Sequence, residues 1–296
     1  MLVGMTPSSQ GTVMRDGYRV RWETFGSSGQ SVLLLPTWSI VHTDFWRAQV
    51  PELAQRFRVI TFDGLGNGGS DRPVDPTAYG DLPVVRDAVA VLDAAGAAGA
   101  AVVGVSRGGA WALALAALHP ARVDAAIFIA ANVPLAPAHP ERAAGAATFE
   151  QRLDSHVGWE RWNRHYWLEH YDDFLGFFFG QCFTEPDSES HISHFVEMGR
   201  QTTPEVLLAT AGTPENNLTP DDAARCARAV SCASLVIHGD EDAITPLARG
   251  TELARLSGAQ LVVMPGSGHE PQCRIPEVVN PMLVDFISRH GRTRAR

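Results

Sequence analysis

The sequence predicts an α/β protein built on a doubly wound, mostly parallel sheet, with a long helical insertion. Three observations carry this reading. Six short runs are apolar almost without interruption. Helical stretches alternate with them. The alternation stops after Asn132 and resumes near Ala233.

The first candidate element, YRVRWETFG over 18–26, alternates apolar and polar residues. One face of such a strand meets solvent, so it reads as an antiparallel edge hairpin with the residues just before it. The six continuous runs follow: SVLLLP (31–36), FRVITFD (57–63), AAVVGVS (100–106), VDAAIFIAAN (123–132), SLVIHGD (234–240) and QLVVMPG (260–266). Continuous apolar runs suit strands covered on both faces, as in a parallel sheet. Helices are expected over 44–56, 81–96, 107–119, 246–257 and 276–290.

The stretch after Asn132 is too long for a plain loop. It reads as a helical cap over 134–232, inserted between core segments 1–133 and 233–296. Ten of the chain's 24 aromatic residues fall between His156 and Phe183, among them Trp159, Trp162 and Trp167. Most must build the insertion's own core. Those three tryptophans are candidates for lining an apolar pocket beneath it.

Composition narrows the function. A net charge of −9 argues against a general nucleic-acid surface, and no uncharged apolar stretch is long enough for a membrane span. The N-terminal apolar part is too short for a secretory signal, so a cytoplasmic location is expected. Oligomeric state is not legible. All 24 basic residues are arginine, which removes Schiff-base chemistry, a Ser–Lys dyad, pyridoxal phosphate attachment and a Walker A site. The four cysteines form no CxxC or Cys/His zinc spacing. They read as reduced thiols, with a Cys226–Cys232 bridge as the alternative.

The strongest chemical signal is Gly104-Val105-Ser106-Arg107-Gly108-Gly109, between an apolar strand and the helix-forming run AWALALAALHP. A serine in such a strand-to-helix turn has its hydroxyl lifted clear of the backbone. Side chains at Gly104 and Gly108 would collide there. The helix end presents free N–H groups to a developing oxyanion. Ser106 needs a base, and His269 in GSGHEP follows the last apolar run in a glycine-rich loop able to swing onto it. The histidine needs a carboxylate, and Asp240, Glu241 and Asp242 compete for that role. Asp242 fits best, three residues past Gly239 and shortly before Pro246. Asp240 is the runner-up, and Glu241 is expected to point away.

Together, GVSRGG, HGDEDAITP and GSGHEP resemble the elbow, acid-loop and histidine-loop motifs of the α/β-hydrolase superfamily. The resemblance spans essentially the whole chain and is to esterase-like serine hydrolases with a helical cap. ITFDGLGNGGSDRP is similar to the D-x-R-G-x-G-x-S turn of that family, with Gly64-Leu65 where an arginine is usual. LLLPTWSIVHTDFW aligns with its oxyanion loop, with Pro36-Thr37-Trp38-Ser39 replacing HGxP. The resemblance implies that the backbone N–H groups of Trp38 and Arg107 form the oxyanion hole.

The expected chemistry is acyl transfer on a small-molecule ester with an apolar part, needing no cofactor. A C–C bond hydrolase, perhydrolase or lactonase could use the same triad. An acyltransferase or cyclase, or a ligand sensor without turnover, stays open. His191 and His194 have helical spacing for a metal pair, but no third ligand follows, and no metal site is expected. The Arg107 side chain either pairs with a nearby acid or meets a substrate carboxylate or carbonyl.

Overall fold

The computed structural model describes residues 5–27 and 29–291. Its eight strands are β1 (Ser9–Arg15), β2 (Tyr18–Phe25), β3 (Ser31–Leu34), β4 (Arg58–Phe62), β5 (Ala100–Val105), β6 (Val123–Ile129), β7 (Ala233–Gly239) and β8 (Gln260–Met264). They form one sheet in the order β1-β2-β4-β3-β5-β6-β7-β8. β1 and β2 pair antiparallel, and β2 pairs antiparallel with β4. Every remaining pairing is parallel. The expected hairpin is present, with β1 as the outer strand. The six apolar runs each supply one strand; five are shorter than the run by one to three residues, and β7 is the same length but begins one residue earlier.

Successive residues of the central strands enter opposite clusters. Leu34, Val103, Ile127 and Ile237 face one, and Leu33, Val102, Phe128 and Val236 face the other. The side-chain period of two, with helices on both faces, explains why these runs are apolar throughout. Helices Asp81–Ala94, Arg107–Leu118 and Leu247–Ser257 cover the second face, and Pro276–His290 lies against the first.

One expected element differs. The single helix over 44–56 is two short turns, Thr43–Trp46 and Val50–Leu53. Pro51 has no N–H to continue a helix from residue 47. Upstream, the Asp63 carboxylate accepts from both the N–H and the hydroxyl of Thr43, at 2.9 and 2.8 Å.

Between β6 and β7 lie helices Pro140–Ala147, Arg164–Glu169, Tyr171–Cys182, Glu189–Gly199, Pro204–Ala209 and Pro220–Ala229. The aromatic run packs onto Trp38, which leaves the end of β3. The Trp38 ring centroid lies 5.3 Å from Trp162, 5.7 Å from Trp167 and 5.2 Å from Phe178. The last helix packs against Arg107–Leu118 and Leu247–Ser257, which cover the second face. Ala223, Cys226 and Ala227 enter the second sheet cluster, so Pro220–Ala229 belongs to the layer covering the sheet. The part that stands over the strand ends stops before it, short of the boundary at 232 read from the sequence. Among the described residues, no helix is long and apolar enough to cross a membrane.

Phe174 is fully buried within the aromatic cluster, 4.6 Å from Trp167 and 6.5 Å from Trp38 between ring centroids. It therefore joins the segment to the core. Phe174→Ala should cost about 3–5 kcal/mol by deleting a packed aromatic side chain. Denaturant unfolding checks this, and a loss below roughly 1 kcal/mol would show that the cluster is loosely packed.

Candidate active site

The sheet's carboxyl ends converge on one cavity of about 530 Å³. Thr37 and Trp38 reach it after β3, Ser106 after β5, Asn132 after β6, Ile244 after β7 and His269 after β8. This is where open α/β sheets place ligands, and the volume suits a small molecule.

Ser106 occupies the N-cap of helix Arg107–Leu118 with φ 54° and ψ −119°. A non-glycine residue rarely holds this left-handed φ. The neighbouring glycines make it possible. A Cβ on Gly104 would overlap the carbonyl of Gly108, and one on Gly108 would overlap the carbonyl of Pro36. The turn is pinned by Ser106 N–H donating to Ile129 O (2.9 Å), and by Ser106 O accepting from Gly109 and Asn132 (3.0 and 2.9 Å). Among the described residues, the N–H groups of Trp38 and Arg107 have no acceptor. The close approach of Pro36 and Gly108 sets their two loops side by side.

The Trp38 loop is tied down from below. Ser39 Oγ donates to Leu65 O at 2.6 Å, and Asn67 Nδ2 donates to Ser39 O at 3.0 Å. Asp63 also accepts from Gly69 N–H at 2.9 Å. The turn after β4 thus supports the loop although the arginine usual there is absent.

His269 Nδ1 lies 2.8 Å from Asp242 Oδ2. The other Asp242 oxygen accepts from the N–H groups of Ile244 and Thr245, both at 2.8 Å. His238 Nε2 is 3.3 Å from Asp242 Oδ2 and 2.9 Å from Thr245 O. Burial alone would raise the Asp242 carboxyl pKa. The two histidines more than offset it, through the nearby His269 charge and hydrogen bonds from both rings, and hold the group well below the usual carboxylate range. Burial likewise disfavours a charged His269, yet the Asp242 carboxylate outweighs it and raises the imidazole above its ordinary 6.5.

The competing acids sit elsewhere. Asp240 is exposed and accepts from Gly266 N–H at 2.7 Å, which shapes the turn after β8. Glu241 is exposed, as expected. The histidine loop is less free than its glycines suggest. His269 N–H donates to Cys182 O (3.2 Å), and Gly268 N–H donates to Glu185 Oε1 (2.7 Å). Both acceptors come from the segment between β6 and β7. His269 is thus buried and anchored rather than swinging.

Of the three tryptophans singled out in the sequence, Trp162 and Trp167 line the cavity. Trp159 stands behind them, its ring 6.3 Å from Trp162 and 5.3 Å from Phe177. The Arg107 guanidinium donates to Thr210 O at 3.0 Å and lies 4.0 Å from Asp81. His194 pairs with Asp44 at 3.0 Å, whereas the His191 ring lies against Phe183. Among the described residues no group of three or more His, Cys, Asp or Glu is placed to hold a metal ion. The four cysteines are free, and burial pushes the cavity-lining Cys182 thiol well up, away from thiolate chemistry.

The α/β-hydrolase fold family matches residues 30–273. The chain belongs to the α/β-hydrolase family. It is therefore an enzyme of the hydrolase class. This α/β-hydrolase is 31% identical over 252 residues to the RutD protein of Caulobacter sp. strain K31, named for carbamate hydrolysis. That alignment covers 82% of this chain and 85% of the relative. It is also 31% identical over 223 residues to the pimeloyl-[acyl-carrier protein] methyl ester esterase of Neisseria meningitidis serogroup B, covering 72% and 81%. Among solved structures, the enol-lactonase of Burkholderia xenovorans LB400 superposes with a TM-score of 0.73 at 22% identity, covering 94% of this chain and all of that one. At that identity the likeness speaks for the fold alone.

The sequence did not flag His238, Glu270, Arg142 or Arg249. Glu270 lines the cavity beside His269, and burial pushes its carboxyl up to about 7. Its adjacency to the histidine was the one available signal.

The His269–Asp242 geometry makes a titration prediction. The His269 imidazole should titrate above 6.5 in the folded protein, followed by NMR, and distinctly lower in Asp242→Asn, where burial is opposed only by the smaller effect of Glu270. Because its folded value is raised, the contribution of His269 protonation to stability is full below 6.5, as long as Asp242 stays ionised, and is lost as pH climbs through the folded value. An unchanged titration in Asp242→Asn would contradict the pairing.

Proposed function

We propose that this α/β-hydrolase is a serine hydrolase acting on a small acyl ester through a Ser106–His269–Asp242 triad. One observation carries the reading. Ser106 shares a cavity with His269, whose far ring nitrogen is already committed to the buried Asp242 at 2.8 Å. That bond fixes the tautomer and leaves Nε2 to serve as base.

In the proposed reaction, His269 Nε2 accepts the Ser106 proton as Oγ attacks the acyl carbonyl. The tetrahedral oxyanion is held by the N–H groups of Trp38 and Arg107. His269 then protonates the departing alcohol, leaving an acyl-enzyme. A water molecule gives its proton to His269, attacks the acyl carbon, and releases the acid with Ser106 restored. The segment from 134 to the start of helix Pro220–Ala229 acts as the cap. Trp162, Trp167 and Phe178 meet the apolar part of the substrate. The relatives are named for carbamate and methyl ester hydrolysis, which is consistent with this assignment.

Ser106→Ala should lower 4-nitrophenyl ester turnover on the order of 10⁴-fold or more while the melt stays native. Asp242→Asn should lose about 10³- to 10⁴-fold through the wrong histidine tautomer, and Asp240→Asn less than about tenfold. Native turnover in folded Ser106→Ala, or a worse Asp240→Asn, would reject the triad.

A further inference from the structure

Three guanidinium groups line the cavity that holds Ser106: Arg107, Arg142 and Arg249. Arg107 has a carboxylate near it, Asp81, and a carbonyl acceptor, Thr210 O. The other two have no carboxylate within ion-pair distance among the described residues. Arg249 donates from Nε to Ala136 O (2.9 Å) and from Nη1 to the Asn132 side chain, and Nη2 has no acceptor. Arg142 donates from Nη1 to Ile244 O (2.7 Å), and among the described residues its Nε and Nη2 have no acceptor. The ring faces of Trp159 and Trp162, each 5.3 Å from the guanidinium carbon, add cation–π contact.

Sheltered cations without anions are costly, and proteins ordinarily pair them or leave them in water. Burial lowers the pKa of both. Burial, and then the neighbouring Arg249 charge among smaller effects, brings Arg142 down to about 10. The acid whose charge acts on Arg142 is Asp242, whose oxygens are already committed to two backbone N–H groups and two imidazoles. Both arginines are one residue removed from the triad. Asn132 accepts from Arg249 and donates its N–H to Ser106 O, whereas Arg142 holds the carbonyl of Ile244, whose N–H donates to Asp242.

We propose that Arg142 and Arg249 form an anion-binding subsite, and that the substrate carries a carboxylate a few bonds from the carbonyl attacked by Ser106. The aromatic wall takes the apolar part and the guanidinium pair takes the charge. Only the identity of the reacting carbonyl rests on the serine-hydrolase reading. The anion site itself does not.

The two claims are separable by experiment. Binding is read first, without turnover, in Ser106→Ala protein. Adipate should raise its melting temperature in a saturable way, adipamide should not, and the effect should vanish when Arg249→Gln is added. Turnover is then compared within matched pairs in wild-type protein, with spontaneous hydrolysis subtracted. The carboxylate is placed on the acyl part in 4-nitrophenyl hydrogen adipate against 4-nitrophenyl hexanoate. It is placed on the alcohol in 4-carboxyphenyl hexanoate against phenyl hexanoate. One anionic member should be preferred about tenfold or more in kcat/KM, and the preference should fall about tenfold in Arg249→Gln and in Arg142→Gln. Arg142 also holds Trp159 and Trp162, so Arg249→Gln is decisive if Arg142→Gln folds poorly. Equal stabilisation by adipate and adipamide, or by neither, overturns the anion site. So does an anionic preference that survives Arg249→Gln. Specific adipate binding with no ester turnover would leave the anion site standing and reject the hydrolase reading alone.

Discussion

The turn between β5 and the helix beginning at Arg107 is a point where three backbone segments nearly touch. Gly104 lies against the carbonyl of Gly108, and Gly108 lies against that of Pro36. No side chain fits in either gap. Ser106 can hold its left-handed φ only because the hydrogen bonds to Ile129, Gly109 and Asn132 fix the backbone around it. The same closeness brings the Trp38 loop beside the helix N-terminus. The candidate nucleophile and its candidate oxyanion donors are therefore consequences of one steric arrangement. Parallel strands with their carboxyl ends on one side deliver Asn132, Asp242 and His269 to the same edge.

Electrostatics completes what the turn begins. Asp242 is buried, and it stays ionised because every approach to it is a donor: two backbone N–H groups and two imidazoles. A carboxylate so surrounded has no reason to take up a proton near neutrality, so it can hold His269 in one tautomer. The segment between β6 and β7 contributes through Cys182 and Glu185, which grip the backbone of the histidine loop. Loop and covering segment are in this way mechanically coupled, and motion of one must disturb the other.

What the sequence revealed follows the range of the forces involved. A serine between glycines at the end of an apolar run is a local steric statement, so Ser106 was legible. Chain order after the last two apolar runs made His269 and Asp242 legible, because strand ends are fixed by the sheet. The helix misread over 44–56 failed on a local term, Pro51, together with a non-local one, Asp63 capturing Thr43. Helix Pro220–Ala229 was assigned to the insertion because its pattern resembles its neighbours', and only packing shows that it covers the sheet. His238, Arg142, Arg249 and Glu270 carry no spacing that marks them. Their importance comes from burial and from what lies across the cavity, and both are tertiary properties. The glycines before His269 suggested freedom, yet the anchoring residues are more than eighty positions away.

If His269 and Asp242 activate it as proposed, Ser106 is a nucleophile unlike any other serine in the chain. Covalent labelling with a fluorophosphonate probe, followed by peptide mass spectrometry, tests this without assuming a substrate. A single adduct is expected on Ser106, forming faster as pH rises through the His269 titration and nearly abolished in His269→Ala. Labelling at another residue, or labelling of Ser106 at an equal rate in His269→Ala, would contradict it.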